Sequence, residues 1–198
     1  MKKLALSIML LSMAFLVSAQ QKVLIPRMEV AAGANFSTIG GSDSWNSLLP
    51  GGQFGVGFFI DPGKTGHILY QGEASYTMAG SKYEETSYNL KGKVVLSYIA
   101  IPLMMQHRSE SGFFVEGGVQ PAFLVSSKDK YNDQTDDYKD HTSGFDFGIP
   151  VGIGFVFMNM VGINLRYTHG FSNINKEGSD KDHNRVFAFR VFFLPIKK

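Results

Sequence analysis

The chain has 198 residues, a length that suits one domain, with 44% hydrophobic and 13% aromatic residues, 22 glycines and no cysteine. Its formal charge is +2; without Lys2 and Lys3, Lys+Arg falls from 19 to 17 (19 − 2) against 17 Asp+Glu. That balance leaves no basic field to attract nucleic acid, and the missing cysteine excludes disulfide staples, so stability rests on burial and backbone pairing.

The first stretch reads "MKKLALSIMLLSMAFLVSAQ". Two lysines lead an apolar run from Leu4 to Val17, and Val17-Ser18-Ala19 ends it on small residues. This layout predicts a secretory signal peptide over 1–19, cleaved after Ala19, with residues 20–198 forming one domain. The apolar run is short for a helix that must cross ~30 Å of hydrocarbon, which argues against a membrane anchor. No cysteine follows that could carry a lipid.

Beyond the leader, apolar and small or polar residues alternate with period two. The alternation predicts strands at about Arg27–Ser37, Gly52–Ile60, His67–Ala79, Val94–His107, Phe113–Ser126, Phe145–Phe157, Val161–Ser172 and Val186–Leu194. The connections take turns between long ("STIGGSDSWNSLLPG", "SKDKYNDQTDDYKDHTS") and short ("DPGKTG", "RSESG", "NM"). Antiparallel hairpins that alternate this way gather every long loop at one end of a closed sheet. That is the layout of an outer-membrane barrel, with short periplasmic turns and long outer loops.

The placement of charge distinguishes such a barrel from a soluble lipocalin-like one, whose outer face carries charge throughout. After the first strand, Gly52–Ile60 and Val94–Gln106 contain no charged residue. The remaining strands hold one acidic or basic group each: Glu73, Glu116, Asp146, Arg166 and Arg190. All five fall on the less apolar face, beside Gln71, Ser75, Gly118, Gly152, Asn164 and Thr168. The opposite face carries Phe54, Val56, Phe58, Ile99, Ile101, Leu103, Val115, Leu165 and the odd positions of "FDFGIPVGIGFVF". In a bilayer the apolar face points outward, because a charge on the lipid side costs ~2–4 kcal/mol at the midplane. The predicted fold is therefore all-β, an eight-stranded antiparallel transmembrane barrel whose narrow interior has room only for side chains. Pro102, Pro121 and Pro150 fall mid-strand, where each removes a ladder donor; a bulge on the interior face offers an account of Pro102 and Pro150 but not of Pro121.

"YIAIPLMMQHR", "FFVEGGVQPAFLVSS", "FDFGIPVGIGFVF" and "INLRYTHGFSNI", in this order and spacing, resemble the PorT-type outer-membrane β-barrel family of Bacteroidetes. The match spans most of the chain after the leader. The resemblance implies an outer-membrane location, an eight-stranded barrel and no shared catalytic residues; the family's named member assists protein secretion. Two departures stand out. A Glu in the family's first motif is Ala100 here, and the chain ends "FFLPIKK" rather than on an aromatic residue.

Glu73, Glu116, Arg166 and Arg190 fall at similar depths, so a Glu–Arg network plugging the barrel is expected, joined by Arg27 or Glu29. A gated ion path is the alternative for the same residues. In the loop "KDKYNDQTDDYKDH", Asp133, Asp136 and Asp137, with Trp45 of an earlier loop, are candidate outer contacts. Asp129 and Asp140 extend that cluster, but the spacing and turn glycine of a calcium loop are missing, so no metal site is assigned. His169 and Ser172 are the residue types of a lipid-modifying enzyme, yet a three-residue offset puts them on opposite faces. His67 and His107 are expected at the inner interface. No motif for a cofactor is present, since the glycines of "GQFGVGF" alternate within a strand. The expected role is non-enzymatic: an anchor, adhesin or secretion-assisting protein whose loops meet a protein partner and whose wall meets outer-membrane lipid and lipopolysaccharide. A lipid-modifying enzyme and a narrow pore are the alternatives.

Overall fold

The computed structural model describes residues 26–41, 47–62, 67–85, 90–131, 134–158, 160–176 and 181–195. The predicted leader, Trp45 and Asp133 lie outside the described residues. The strands are β1 (Arg27–Gly40), β2 (Leu49–Ile60), β3 (Ile68–Glu85), β4 (Leu90–Ala100), β5 (Leu103–Arg108), β6 (Phe113–Tyr131), β7 (Gln134–Asp137), β8 (Phe145–Phe157), β9 (Val161–Gly170) and β10 (His183–Phe193). β4 and β5 lie end to end between β3 and β6 and form one stave. β7 folds back on the tip of β6 alone. The rest make eight antiparallel staves, and β1 pairs with both β2 and β10, which closes the cylinder. Closure leaves no strand edge, so every ladder group has a neighbour where lipid offers none.

The interruption between β4 and β5 accounts for two prolines. A strand residue directs its N–H and C=O to the same side. The carbonyl of Pro121 accepts the amide of Ile101 at 2.8 Å, so its missing N–H faces the break at Ile101–Pro102. The carbonyl of Pro102 accepts the amide of Glu73 at 3.0 Å on the other side. Pro102 and Pro121 thus fall at one break between β4 and β5, their missing donors on its two opposite sides. Pro150 makes its own: β6 and β8 pair through Gly117↔Val151 and again from Gln120↔Gly148, with the intervening pairs missing.

Several strands run further than the alternation predicts. β1 continues to Gly40, β3 to Glu85 and β6 to Tyr131, while β2 starts at Leu49 and β4 at Leu90. All these extensions lie at the long-loop end. There the outer face carries Lys82 and Lys128 while the buried inner face carries Ser81 and Ser127, so the polarity contrast between the faces fades and pairing continues without leaving a period-two signal.

The polarity is inverted relative to a soluble barrel. Phe54, Val56, Tyr70, Leu103, Val151, Ile153, Leu165 and Phe187 are exposed, while Glu29, Glu73, Glu116, Arg166 and Arg190 are buried. Apolar groups also fill both ends of the bore. Near the short turns, Phe59, Phe114, Val156, Phe192 and Leu194 pack together, with the rings of Phe114 and Phe192 edge to face at 6.1 Å. Arg108 lies over Phe59 and Phe114 at 5.5 and 5.8 Å, a cationic cap on an aromatic layer. At the long-loop end, Val94, Leu96, Tyr98, Leu124 and Ile39 cluster under Ile174, which arrives from the β9–β10 connection.

Candidate functional site

Between those apolar layers lies a layer of charge. Glu29 stands on β1, Glu73 on β3, Glu116 on β6, Arg166 on β9 and Arg190 on β10. Arg190 Nη2 lies 2.6 Å from Glu73 Oε2 and 3.5 Å from Glu29 Oε1. Arg166 Nε lies 2.8 Å from Glu116 Oε1, and its Nη1 lies 3.7 Å from Glu73 Oε2. Glu73 therefore joins two arginines, and the five groups form one chain across the bore. Neutral donors complete it: Gln71 Nε2 donates to Glu29 Oε2 at 2.6 Å and Asn164 Nδ2 to Glu116 Oε1 at 2.8 Å.

The glycines explain how side chains from non-adjacent staves meet. Glu29 and Glu73 both pair in register with Gly57 of β2, and Glu116 and Arg166 both pair with Gly152 of β8. Each of these staves is bare at the depth where its neighbours reach over it. A Cβ on Gly152 would stand 2.8 Å from Glu116 Oε1, so even alanine disturbs the carboxylate. Arg190 is 1% exposed and Glu29 0%, which makes the attraction strong and the loss of any one partner costly.

Sequence reasoning placed Glu73, Glu116, Arg166 and Arg190 on one face at one level, and the structure brings them together with Glu29. It did not foresee the aromatic layer below them. The signal was present in the doublets Phe58-Phe59, Phe113-Phe114 and Phe192-Phe193, all near short turns. In each doublet one ring faces lipid and the other the bore. A second polar group lies nearer the outer end. Asn184 Nδ2 donates to Asp146 Oδ2 at 2.8 Å and to the Tyr98 hydroxyl at 3.2 Å, beside an enclosed space of ≈ 20 Å³.

The other candidates are dispersed. Asp136 and Asp137 are exposed on β7; Asp136 Oδ2 accepts from the Tyr131 hydroxyl at 2.6 Å, and Asp137 Oδ1 accepts from the Lys139 amide at 2.9 Å. Asp129 accepts from Tyr83 Oη at 2.9 Å, and burial followed by this hydrogen bond raises the Tyr83 hydroxyl above the ordinary phenol range. No group of acidic or histidine side chains able to hold a metal occurs among the described residues. His169 Nδ1 lies 3.0 Å from the Tyr167 hydroxyl on the lipid-facing wall. Ser172 instead accepts the Phe147 amide at 2.9 Å. The rings of His67 and His107 lie 5.9 Å apart, tilted by 56°, near the short turns.

Solved structures share this architecture. Neisserial surface protein A aligns with a TM-score of 0.55 at 11% identity, over 85% of this chain and 97% of that one. Ail, the attachment invasion locus protein of Yersinia pestis, solved in complex with the heparin analogue sucrose octasulfate, aligns at 0.53 and 13% identity over 85% and 97%. At these identities the likeness is one of fold. No curated protein matches the sequence. The family model for the outer membrane protein beta-barrel domain matches residues 19–176, most of the chain. With its closed eight-stave wall and inverted polarity, the chain belongs to the outer membrane protein beta-barrel domain family.

Proposed function

We propose that this barrel is a non-enzymatic scaffold of the PorT type, which holds its outer loops for a protein partner as an anchor, adhesin or secretion-assisting component. The observation that carries this reading is the filled bore. An aromatic layer, an ion-paired layer and an outer apolar layer lie in series across it. A wall filled at three levels is suited to presenting a surface rather than to passing a solute. The binding surface is then the long-loop end, where connections on a rigid support carry recognition. The order and spacing of the four motifs quoted above support the PorT assignment.

The test is photo-crosslinking from intact cells, with a crosslinker placed at Lys139 in the loop after β7. A partner captured there and lost on replacing that loop by a short turn supports the reading. Steady single-channel conductance from the purified protein overturns it in favour of a pore. One contact favours the enzymatic alternative: Tyr167 beside His169 on the lipid-facing wall. Lipopolysaccharide mass spectra from cells with and without the protein decide that question. Unchanged acyl chains are expected.

A further inference from the structure

The outer extension of the wall carries a row of like charges. Lys82 on β3 pairs in register with Lys93 on β4, and Lys93 pairs in register with Lys130 on β6. Residues directly opposite on neighbouring antiparallel strands have Cβ atoms about 4.5–5.5 Å apart, and like charges there repel. Lys91 and Lys128 flank the row, and all five lysines are exposed. Among the described residues, the ammonium groups of Lys82, Lys93, Lys128 and Lys130 make no ion pair. On the face of the lysines the acids in register are Glu84, opposite Lys91, and Asp137, opposite Lys128. Asp129 and Asp136 pair with each other on the other face, where they accept from Tyr83 and Tyr131, so the outward face holds five lysines against two acids.

A β-bulge builds this row. Along β6 the even residues Phe114, Glu116, Ala122 and Leu124 are buried in the bore. On that parity Lys128 and Lys130 would point inward. The β4–β6 register shifts, so that Tyr98 pairs with Leu124 while Ser97 pairs with Ser126, and Val125 is left over. After the bulge Ser127 is buried and Lys128 and Lys130 face outward, Lys130 level with Lys93 and Lys128 level with Val95. Lys82, Lys91, Lys93 and Lys130 line an open groove of ≈ 450 Å³ with Gly92, Tyr131, Gln134 and Thr135.

The position of the groove points to its ligand. One outward residue below Lys93 comes Val95, then Ser97 and the exposed Ile99; below Lys128 come Ser126, the exposed bulge residue Val125 and then Phe123. Two residues of strand span about 7 Å, so the ammonium groups stand just above the apolar belt, where the headgroups of the outer leaflet begin. We propose that the Lys82–Lys93–Lys130 row, with Lys91 and Lys128, is a binding site for the phosphate groups of outer-leaflet lipid. A multiply phosphorylated headgroup neutralises adjacent ammonium ions while its chains lie against Val95, Ile99 and Phe123. The proposal rests on the family's membrane location and is independent of which partner the loops hold.

The full folded protein in neutral detergent, titrated with bisphosphorylated lipid A and followed by native mass spectrometry and thermal unfolding, tests this. Lipid A is expected to bind and raise the unfolding temperature, an effect that added salt weakens. The Lys82→Gln/Lys93→Gln/Lys130→Gln variant is expected to lose about a hundredfold in affinity, roughly fivefold for each charge removed. Without lipid that variant should unfold at the same or a higher temperature, because a repulsive row has gone; heat-dependent gel mobility checks its fold. The variant with arginine at the three positions keeps the affinity, and Lys93→Gln alone loses about fivefold. Unchanged affinity in the glutamine variants overturns the proposal, and so does equal binding of dephosphorylated lipid A. Equal stabilisation by inorganic phosphate overturns the assignment to lipid and makes the groove a site for a soluble anion.

Discussion

The middle and the inner end of the same bore are filled in opposite ways. At the level of Glu73 and Gly152, five charged side chains span the interior over bare staves. At the level of Phe114 and Phe192, aromatic rings do the same work without a charge. Both layers shut the bore, but they fail differently. An aromatic layer that loses a ring keeps its chemistry and gains a cavity. A charged layer that loses one member keeps its volume and gains an uncompensated ion, which the low-dielectric interior penalises. The charged layer is thus the more specific device, and the aromatic layer the more forgiving one.

The difference can be broken most sharply at Arg190. Arg190→Ala strands Glu29, leaves Glu73 only its longer contact to Arg166, and is expected to cost about 5 kcal/mol, read from urea unfolding in lipid vesicles. Phe114→Ala removes a ring that is 0% exposed, which predicts a loss of about 3–4 kcal/mol in the same assay. Gly152→Ala pushes a methyl against Glu116 and should cost about 2 kcal/mol. The smallest effect sharpens the contrast. Glu116→Gln combined with Arg166→Met removes one charge of each sign, leaves Asn164 its acceptor, and is expected to change stability by about 1 kcal/mol. If that double change costs as much as Arg190→Ala, the layer works as an indivisible unit rather than as pairs. Conductance adds a functional reading: truncating Arg190, Phe114 or both should leave the bore shut, because the outer apolar layer around Leu96 and Tyr98 remains.

Much of this layering could be read before the fold was known, and the part that could not has a common cause. The alternation around Phe54–Ile60 and Phe145–Phe157 marks which face meets hydrocarbon, because a bilayer punishes any polar group on that side. The lone Glu or Arg of each later strand is visible for the same reason. The second phenylalanine of each doublet hid from this logic, since an interior apolar residue and an exterior one look alike when they are neighbours. Pro121 looked unplaceable because its partner gap belongs to Ile101 and Pro102, distant in sequence. The outer extensions of β1, β3 and β6 escaped notice where polar residues on both the outer and the buried inner face, such as Lys82 beside Ser81, erased the pattern.

The sequence by itself determined the inside-out polarity, the count of staves and the end at which the long loops gather, since these follow from period-two chemistry and the order of turns. Only the tertiary structure decided which charges touch, which glycines give them room, and where a single leftover residue, Val125, turns Lys128 and Lys130 outward. The physical reason is register. Strand pairing sets which residues share a level, and a shift of one position moves a side chain through the wall from the bore to the lipid side.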